Sequence, residues 1–253
     1  MIIENIVEAV ARLVGDKKKS IVIYSAIWPL LRLINTSSKN VVTDLCSLIL
    51  SRFSGRTILM PTFTSGFDQF GLCNIDIAPS QTGALSECFR CLPDVRRTHS
   101  AYFSFAVHGP STETLVALRP NEAWGCGSLY EWLYNQDAAI VTLGLHPTHC
   151  SYTHYGEWLN RRVITYRHNK TFSGTLINRG VPSPHTETLF VRNLDPEPIN
   201  DFTHLLTKFI ANGMRVGKPN CYPISCIGAK SKIDVVSSAL RENPLALITS
   251  KEK

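Results

Sequence analysis

The spacing of apolar residues switches repeatedly between a helical and an extended period along this chain. Ile3 to Val14 carries apolar residues at helical spacing, and Ser20-Ile21-Val22-Ile23-Tyr24 is a short continuous apolar run of strand length. Val41 to Phe53 predicts an apolar helix with Asp44 near its start. Arg56-Thr57-Ile58-Leu59-Met60-Pro61 predicts a second strand, stopped by its proline. This strand–helix–strand order predicts an α/β fold with crossover helices on a mixed central sheet. Thr62 to about Ser86 is rich in Gly, Ser, Thr, Asp and Pro and reads as an irregular surface or site loop.

Further strands are predicted at Ala101 to Gly109, Ala139 to Leu143, Arg162 to Tyr166 and Glu187 to Val191. Helices are predicted at Ser128 to Tyr134, Asp201 to Ala211 and Ile233 to Leu240. There is no repeat, low-complexity segment or linker, so residues 1–253 read as one domain. None of the 15 glycines forms a Gly-x-Gly-x-x-Gly fingerprint after a strand, so the sheet is not of Rossmann type.

The stretch Leu143 to Glu157 begins as a buried strand and ends as a helix start. It sets His154 and Glu157 three residues apart, on one face of that helix. A carboxylate beside an imidazole fixes its tautomer and stabilises the imidazolium that forms when a general base takes up a proton. The same spacing also suits an ordinary surface pair.

Composition narrows the class. An apolar fraction of 44% and a charged fraction of 18% are those of a globular chain. No apolar run reaches the roughly 18 residues that cross a bilayer. The start, Met1-Ile2-Ile3-Glu4-Asn5, has no basic region or small-residue cleavage site, so the expected location is the cytoplasm, away from membranes. The net charge of +6 is spread out, and its one tight run, Lys17-Lys18-Lys19, reads as a solvated turn, not a nucleic-acid patch. The oligomeric state is left open.

Eight cysteines are present. Cys88-Phe89-Arg90-Cys91 resembles half a zinc motif, but its partner pair, Cys221 and Cys226, is spaced too widely, and Cys46, Cys73, Cys126 and Cys150 are scattered. Free thiols and no metal are expected. Pro147 argues against one helix presenting His146, His149 and His154 together to a metal. Cys126 or Cys150, with His149 or His154 as base, would make a rival thiol nucleophile.

Several segments in order carry a family resemblance. Tyr24-Ser25 ends a strand in a hydroxyl-rich turn. Gly55-Arg56-Thr57-Ile58-Leu59-Met60-Pro61-Thr62-Phe63-Thr64 is followed by Pro79-Ser80, Gly83 and the run Glu87 to Thr98. Then come Arg97-Thr98-His99-Ser100-Ala101-Tyr102-Phe103-Ser104, Trp124-Gly125-Cys126-Gly127-Ser128-Leu129, and Gly144 with Thr153, His154 and Glu157. Tyr166-Arg167, Lys170, Phe172 and the ending from Gly228-Ala229 to Glu242-Asn243-Pro244 complete the match. The chain resembles the aminoglycoside 3-N-acetyltransferase family, which uses acetyl-CoA and is unrelated in fold to the GNAT acetyltransferases. Two departures stand out. Ser100-Ala101 replace the family's His-Pro, with His99 one place early, and bulky apolar residues follow Ser25 where relatives tend to be small.

The resemblance implies transfer of an acetyl group from acetyl-CoA to an amino group of an aminoglycoside or other amino sugar. His154 would be the base, its ordinary pKa near neutral pH, and Glu157 would orient it. Ser25, Thr62, Arg97, Ser104 and Gly109 would serve the cofactor. Backbone N–H groups of Thr62 to Thr64 or the Ser104 hydroxyl are candidate oxyanion donors. Each has a plainer reading: Thr62 closing a turn, Ser104 a buried strand hydroxyl, Gly109 a turn glycine and Arg97 a partner for a structural carboxylate. Asp68 and His99 would face the acceptor. The loop Ser65 to Ala78 holds only Asp68 and Asp76 as acids, which points to an acceptor less cationic than an aminoglycoside. The Ser100-Ala101 departure leaves room for a member that binds CoA or an amino sugar without turnover.

Overall fold

The computed structural model describes residues 1–34, 38–195 and 197–249. Helix α1 (Ile2–Val14) is followed by β1 (Ser20–Ser25), α2 (Trp28–Ile34), α3 (Ser38–Arg52) and β2 (Thr57–Pro61). Next come α4 (Phe67–Phe70), β3 (Leu72–Asn74), α5 (Ala84–Arg90), β4 (Arg96–Arg97), β5 (Phe105–His108), α6 (Thr112–Val116), α7 (Leu129–Asn135) and β6 (Ala139–Leu143). Helix α8 (Thr153–Leu159) leads into two long strands, β7 (Arg167–Asn178) and β8 (Val181–Arg192). The chain ends with β9 (Ile199–Asn200), α9 (Leu206–Ala211), β10 (Arg215–Gly217), β11 (Ile224–Gly228), α10 (Ala229–Glu242) and β12 (Ile248–Thr249).

The main sheet runs β10-β11-β6-β1-β2-β5-β4. Strand β1 pairs parallel to β2 and β6, and the outer strands pair antiparallel, so the sheet is mixed. Its central strands are continuously apolar because both faces are covered. Ile21, Ile23, Ile58, Met60 and Val141 enter one core cluster with residues of α1, α3 and α5. Val22, Tyr24, Leu59 and Ile140 enter the other with residues of α7, α8 and α10. Strands β7 and β8 form a separate antiparallel hairpin, extended by β3 alongside β7. Among the described residues no helix is long and apolar enough to cross a membrane.

The expected α/β fold with a mixed central sheet is therefore the observed one, and several local expectations are corrected. Arg162 to Tyr166 is not a strand. Ile164 and Tyr166 are buried by packing rather than by pairing, and the ladder begins only at Arg167. Of Ala101 to Gly109 only Phe105–His108 is a strand. The loop from Thr62 to Ser86 contains α4, β3 and the first turn of α5. The helix predicted from Asp201 starts after a 3-10 turn at Thr203–Leu205, where Asp201 accepts from the Thr203 backbone N–H at 2.9 Å.

Candidate functional site

The parallel strands β1 and β6 end side by side, with Ser25 opposite Leu143. The chain leaves β6 through Gly144, whose φ of 69° and neighbours leave no room for a side chain: a Cβ would overlap the Ala26 carbonyl and the Tyr222 ring. Pro147 prevents an immediate helix, and α8 begins only at Thr153. Ser151 donates to the Tyr24 hydroxyl at 3.2 Å, tying the start of α8 to the end of β1. Further along, Gly156 lies so close to α10 that a Cβ would overlap the Val236 side chain.

This docking holds the pair. His154 Nδ1 is hydrogen-bonded to Glu157 Oε2. Glu157 is fully buried, whereas the His154 side chain keeps 20% of its surface. Tyr166 donates to Glu157 Oε1 at 2.9 Å, and Arg167 Nε lies 3.0 Å from Oε2. Arg167 Nη2 is also 3.2 Å from His154 Nδ1. Burial works to raise the Glu157 pKa, but His154, Arg167 and the Tyr166 hydroxyl outweigh it and hold the carboxyl below its ordinary range. Glu157 is thus an ionised carboxylate in a dry site, and Nδ1 is the engaged ring nitrogen. That leaves Nε2 as the atom able to take a proton. The Phe202 ring meets the imidazole edge to face, with centroids 5.9 Å apart.

The other expected residues fall in different places. Ser25 lines a cavity of about 790 Å³ with Ala26, Ile27, Trp28, Leu31 and Thr82. Its hydroxyl is buried without a hydrogen-bond partner. Among the described residues Arg97 forms no ion pair with a carboxylate. Its Nε meets Thr62 Oγ1 at 3.0 Å and Ser104 Oγ at 2.8 Å, and its Nη1 donates to the carbonyls of Ile75 and Ala78. Nη2 donates to the Thr62 carbonyl. Burial pushes the Arg97 pKa down to about 10. Arg97, Thr62 and Ser104 therefore form an internal clamp on the loop after β2, because the carbonyls there have no ladder partners. The Thr62 and Thr64 N–H groups donate to Ser104 and Tyr102 carbonyls, so neither is an open oxyanion donor. Gly109 turns at φ 115° against Arg56, whose carbonyl a Cβ would overlap, so its glycine answers to backbone packing.

His99 and His154 lie toward opposite ends of β7. His99 Nδ1 is 3.4 Å from the Asn178 side chain, whereas His154 meets Arg167. Eleven strand steps separate those two β7 residues, on the order of 30 Å. Burial, with Arg119 and His185, pushes the His99 pKa down to about 4. Asp68 is exposed on α4 beside Tyr102. Cys150 is buried near Tyr24, Tyr130 and Tyr152, where it fills space. Among the described residues no group of three His, Cys, Asp or Glu side chains is placed to hold a metal ion.

Two features escaped the sequence. Tyr166 and Arg167 complete the Glu157 site; the sequence set them among the segments of the family resemblance but gave them no role. Glu187 is nearly buried on β8 and accepts from the Ser100 hydroxyl at 2.6 Å and the Ala101 N–H at 2.8 Å. The two residues that depart from the family pattern are thereby tied to a carboxylate on the hairpin.

A family model described as aminoglycoside 3-N-acetyltransferase matches residues 54–241. No curated protein sequence matches the chain. Among solved structures, the YokD protein from Bacillus subtilis superposes with a TM-score of 0.74 at 17% identity, covering 96% of this chain and 100% of its own. The sisomicin-bound AAC-VIa gives a TM-score of 0.78 at 19% identity, covering 96% and 98%. AAC-IIIb in a binary complex with CoASH gives 0.72 at 16% identity, covering 94% and 96%. At such identities the likeness shows a shared fold.

Proposed function

The chain belongs to the aminoglycoside 3-N-acetyltransferase family, and from that membership we propose that it acetylates an amino group of an amino sugar, with acetyl-CoA as donor and His154 as general base. The observation that carries this reading is the His154–Glu157 pair. Its carboxylate is buried and ionised, its Nδ1 is engaged and its imidazole is partly exposed. An amine must be neutral to attack a thioester, and Nε2 of His154 would take the proton that it loses. Glu157 would hold the ring and stabilise the imidazolium as it forms.

The residues at the end of β1 suit the donor. The Ser25 hydroxyl is an orphaned buried donor, and Ile27, Trp28 and Leu31 offer an apolar wall for a pantetheine arm. Acetyl-CoA supplies an acyl group activated as a thioester. The cavity lies at the end of β1 on the sheet face covered by α3 and α5, while Tyr24 on the other face meets Ser151 at the start of α8. The neighbours bound to CoASH and to sisomicin share this fold, which supports a donor and an amino-sugar acceptor here.

The acceptor is proposed to carry fewer ammonium groups than a deoxystreptamine antibiotic. Asp76 accepts from the Arg179 and Gly180 N–H groups at 2.8 Å each, and Asp68 is exposed beside the Tyr102 hydroxyl. A thiol-release assay with acetyl-CoA and a panel of amino sugars and aminoglycosides tests the whole reading. Turnover is expected, fastest with a lightly charged amino sugar and unchanged by EDTA. Binding of CoA with no thiol release from any acceptor would instead favour a non-catalytic binding protein. Activity lost to EDTA and restored by zinc would overturn the metal-free mechanism.

A further inference from the structure

We propose that Arg167 is the positioning residue of this site: anchored to the hairpin, it fixes the Glu157 carboxylate so that His154 stays neutral, with its proton on Nδ1 and Nε2 available. The inference rests on the reading of His154 as the base.

Arg167 is committed before it reaches α8. Its side chain is only 6% exposed. Nη1 donates to the Phe190 carbonyl on β8 at 3.1 Å, and Nη2 reaches Asn200 Oδ1 on β9 at 3.4 Å. A planar guanidinium held at two points has little freedom left. Its Nε forms an ion pair at 3.0 Å, without hydrogen-bond alignment, with the same Glu157 oxygen that binds His154 Nδ1, while Tyr166 donates to the other oxygen. Each carboxylate oxygen has a hydrogen-bond partner, and the guanidinium charge beside them holds the carboxylate against the ring.

Charge gives the arrangement its second effect. A lone buried carboxylate against an imidazole favours the imidazolium, and an imidazolium is no base. Arg167 carries a permanent positive charge, and its Nη2 is 3.2 Å from Nδ1. It offsets the carboxylate and opposes a second positive charge on the ring. The groups facing the imidazole are Glu157 on α8, Arg167 on β7 and the Phe202 ring, with the Tyr166 phenol and the neutral Asn200 amide behind them. Burial and Glu157 push the Tyr166 phenol far above its ordinary range, so it stays neutral. Arg167 is therefore the cation that balances Glu157.

The test is nitrogen-15 NMR of the histidine rings in the ligand-free full chain, with His154 assigned by comparison with His154→Ala. In the unsubstituted protein the neutral tautomer with the proton on Nδ1 is expected at pH 7.5. In Arg167→Gln the onset of the imidazolium should move up by about one pH unit or more. The acid limb of kcat/KM for acetyl-CoA should move with it. The rate at pH 7 should then fall about threefold and approach the unsubstituted value near pH 9. Arg167→Lys keeps the charge without the fork and should shift less. A folded Arg167→Gln protein with unchanged His154 ring signals at every pH would overturn the proposal. If Arg167→Gln does not fold, unchanged ring signals and pH profile in Arg167→Lys overturn it equally. Ring signals that move while the rate profile stays fixed would uphold the hold of Arg167 on the ring and remove His154 as the base.

Discussion

At the scale of single residues, the proposed chemistry concentrates on a histidine whose surroundings are mostly buried. If His154 is the base, His154→Ala should lower kcat by roughly two to four decades and leave acetyl-CoA affinity nearly unchanged. Steady-state kinetics with a calorimetric binding measurement separates the two quantities. Glu157→Gln should act in the same direction but less severely, because an amide can still hold the ring but cannot stabilise the imidazolium by charge. The same change leaves the buried guanidinium of Arg167 without its carboxylate, so a lower melting temperature should accompany it. The double variant should be far less impaired than the product of the single effects, since the two residues act as one unit. Raising the pH should partly restore His154→Ala, because more of the acceptor amine is then already neutral. Near-full activity in a folded His154→Ala protein would place the base elsewhere.

At the scale of elements, the geometry of His154 depends on how α8 lies on α10. The two helices touch at Gly156, where a Cβ would overlap Val236. Gly156→Ala should therefore force α8 outward. Overpacking of this kind costs about 1–3 kcal/mol, and a small outward movement would also take His154 off its line with Glu157 and Arg167. The expected outcome is a lower midpoint in urea together with a reduced kcat. Combining Gly156→Ala with Val236→Ala should restore much of both, because the second change makes room for the first methyl group. If the paired variant is no better than Gly156→Ala alone, the helix contact is not what positions the site.

At the scale of the whole molecule, the order of strands in the sheet bears on how the chain unfolds. Strand β1, from the first tenth of the chain, lies between β2 and β6, and β11 from the C-terminal region closes on β6. No cut in the sequence separates two sheets, so residues 1–253 are proposed to unfold as one domain. Far-ultraviolet circular dichroism and tryptophan fluorescence should report a single coincident urea transition. Two resolved transitions would show that the β7–β8 hairpin, which forms its own small sheet, melts independently.

The fold class and the pairing of His154 with Glu157 were legible because both depend on local spacing. Short, β-branched apolar runs such as Ser20 to Tyr24 and Ala139 to Leu143 read as strands covered on both faces, and helical periodicity marked α1, α3 and α10. His154 and Glu157 share one helical turn, so three residues of sequence sufficed to bring them together. The clamp of Arg97, Thr62 and Ser104 spans 42 residues between its two hydroxyl groups, and no local pattern distinguishes a guanidinium that binds carbonyls from one that awaits a phosphate. His99 lay in the segment that resembles the family, yet the length of β7 separates it from His154. The strand at Arg162 to Tyr166 was misplaced because buried apolar side chains look alike whether their backbone pairs or turns. Tyr166 and Arg167 reach Glu157 because the chain returns beside α8 where β7 begins. That meeting of a helix and a strand is decided by tertiary packing, which is where the sequence pattern stops carrying information.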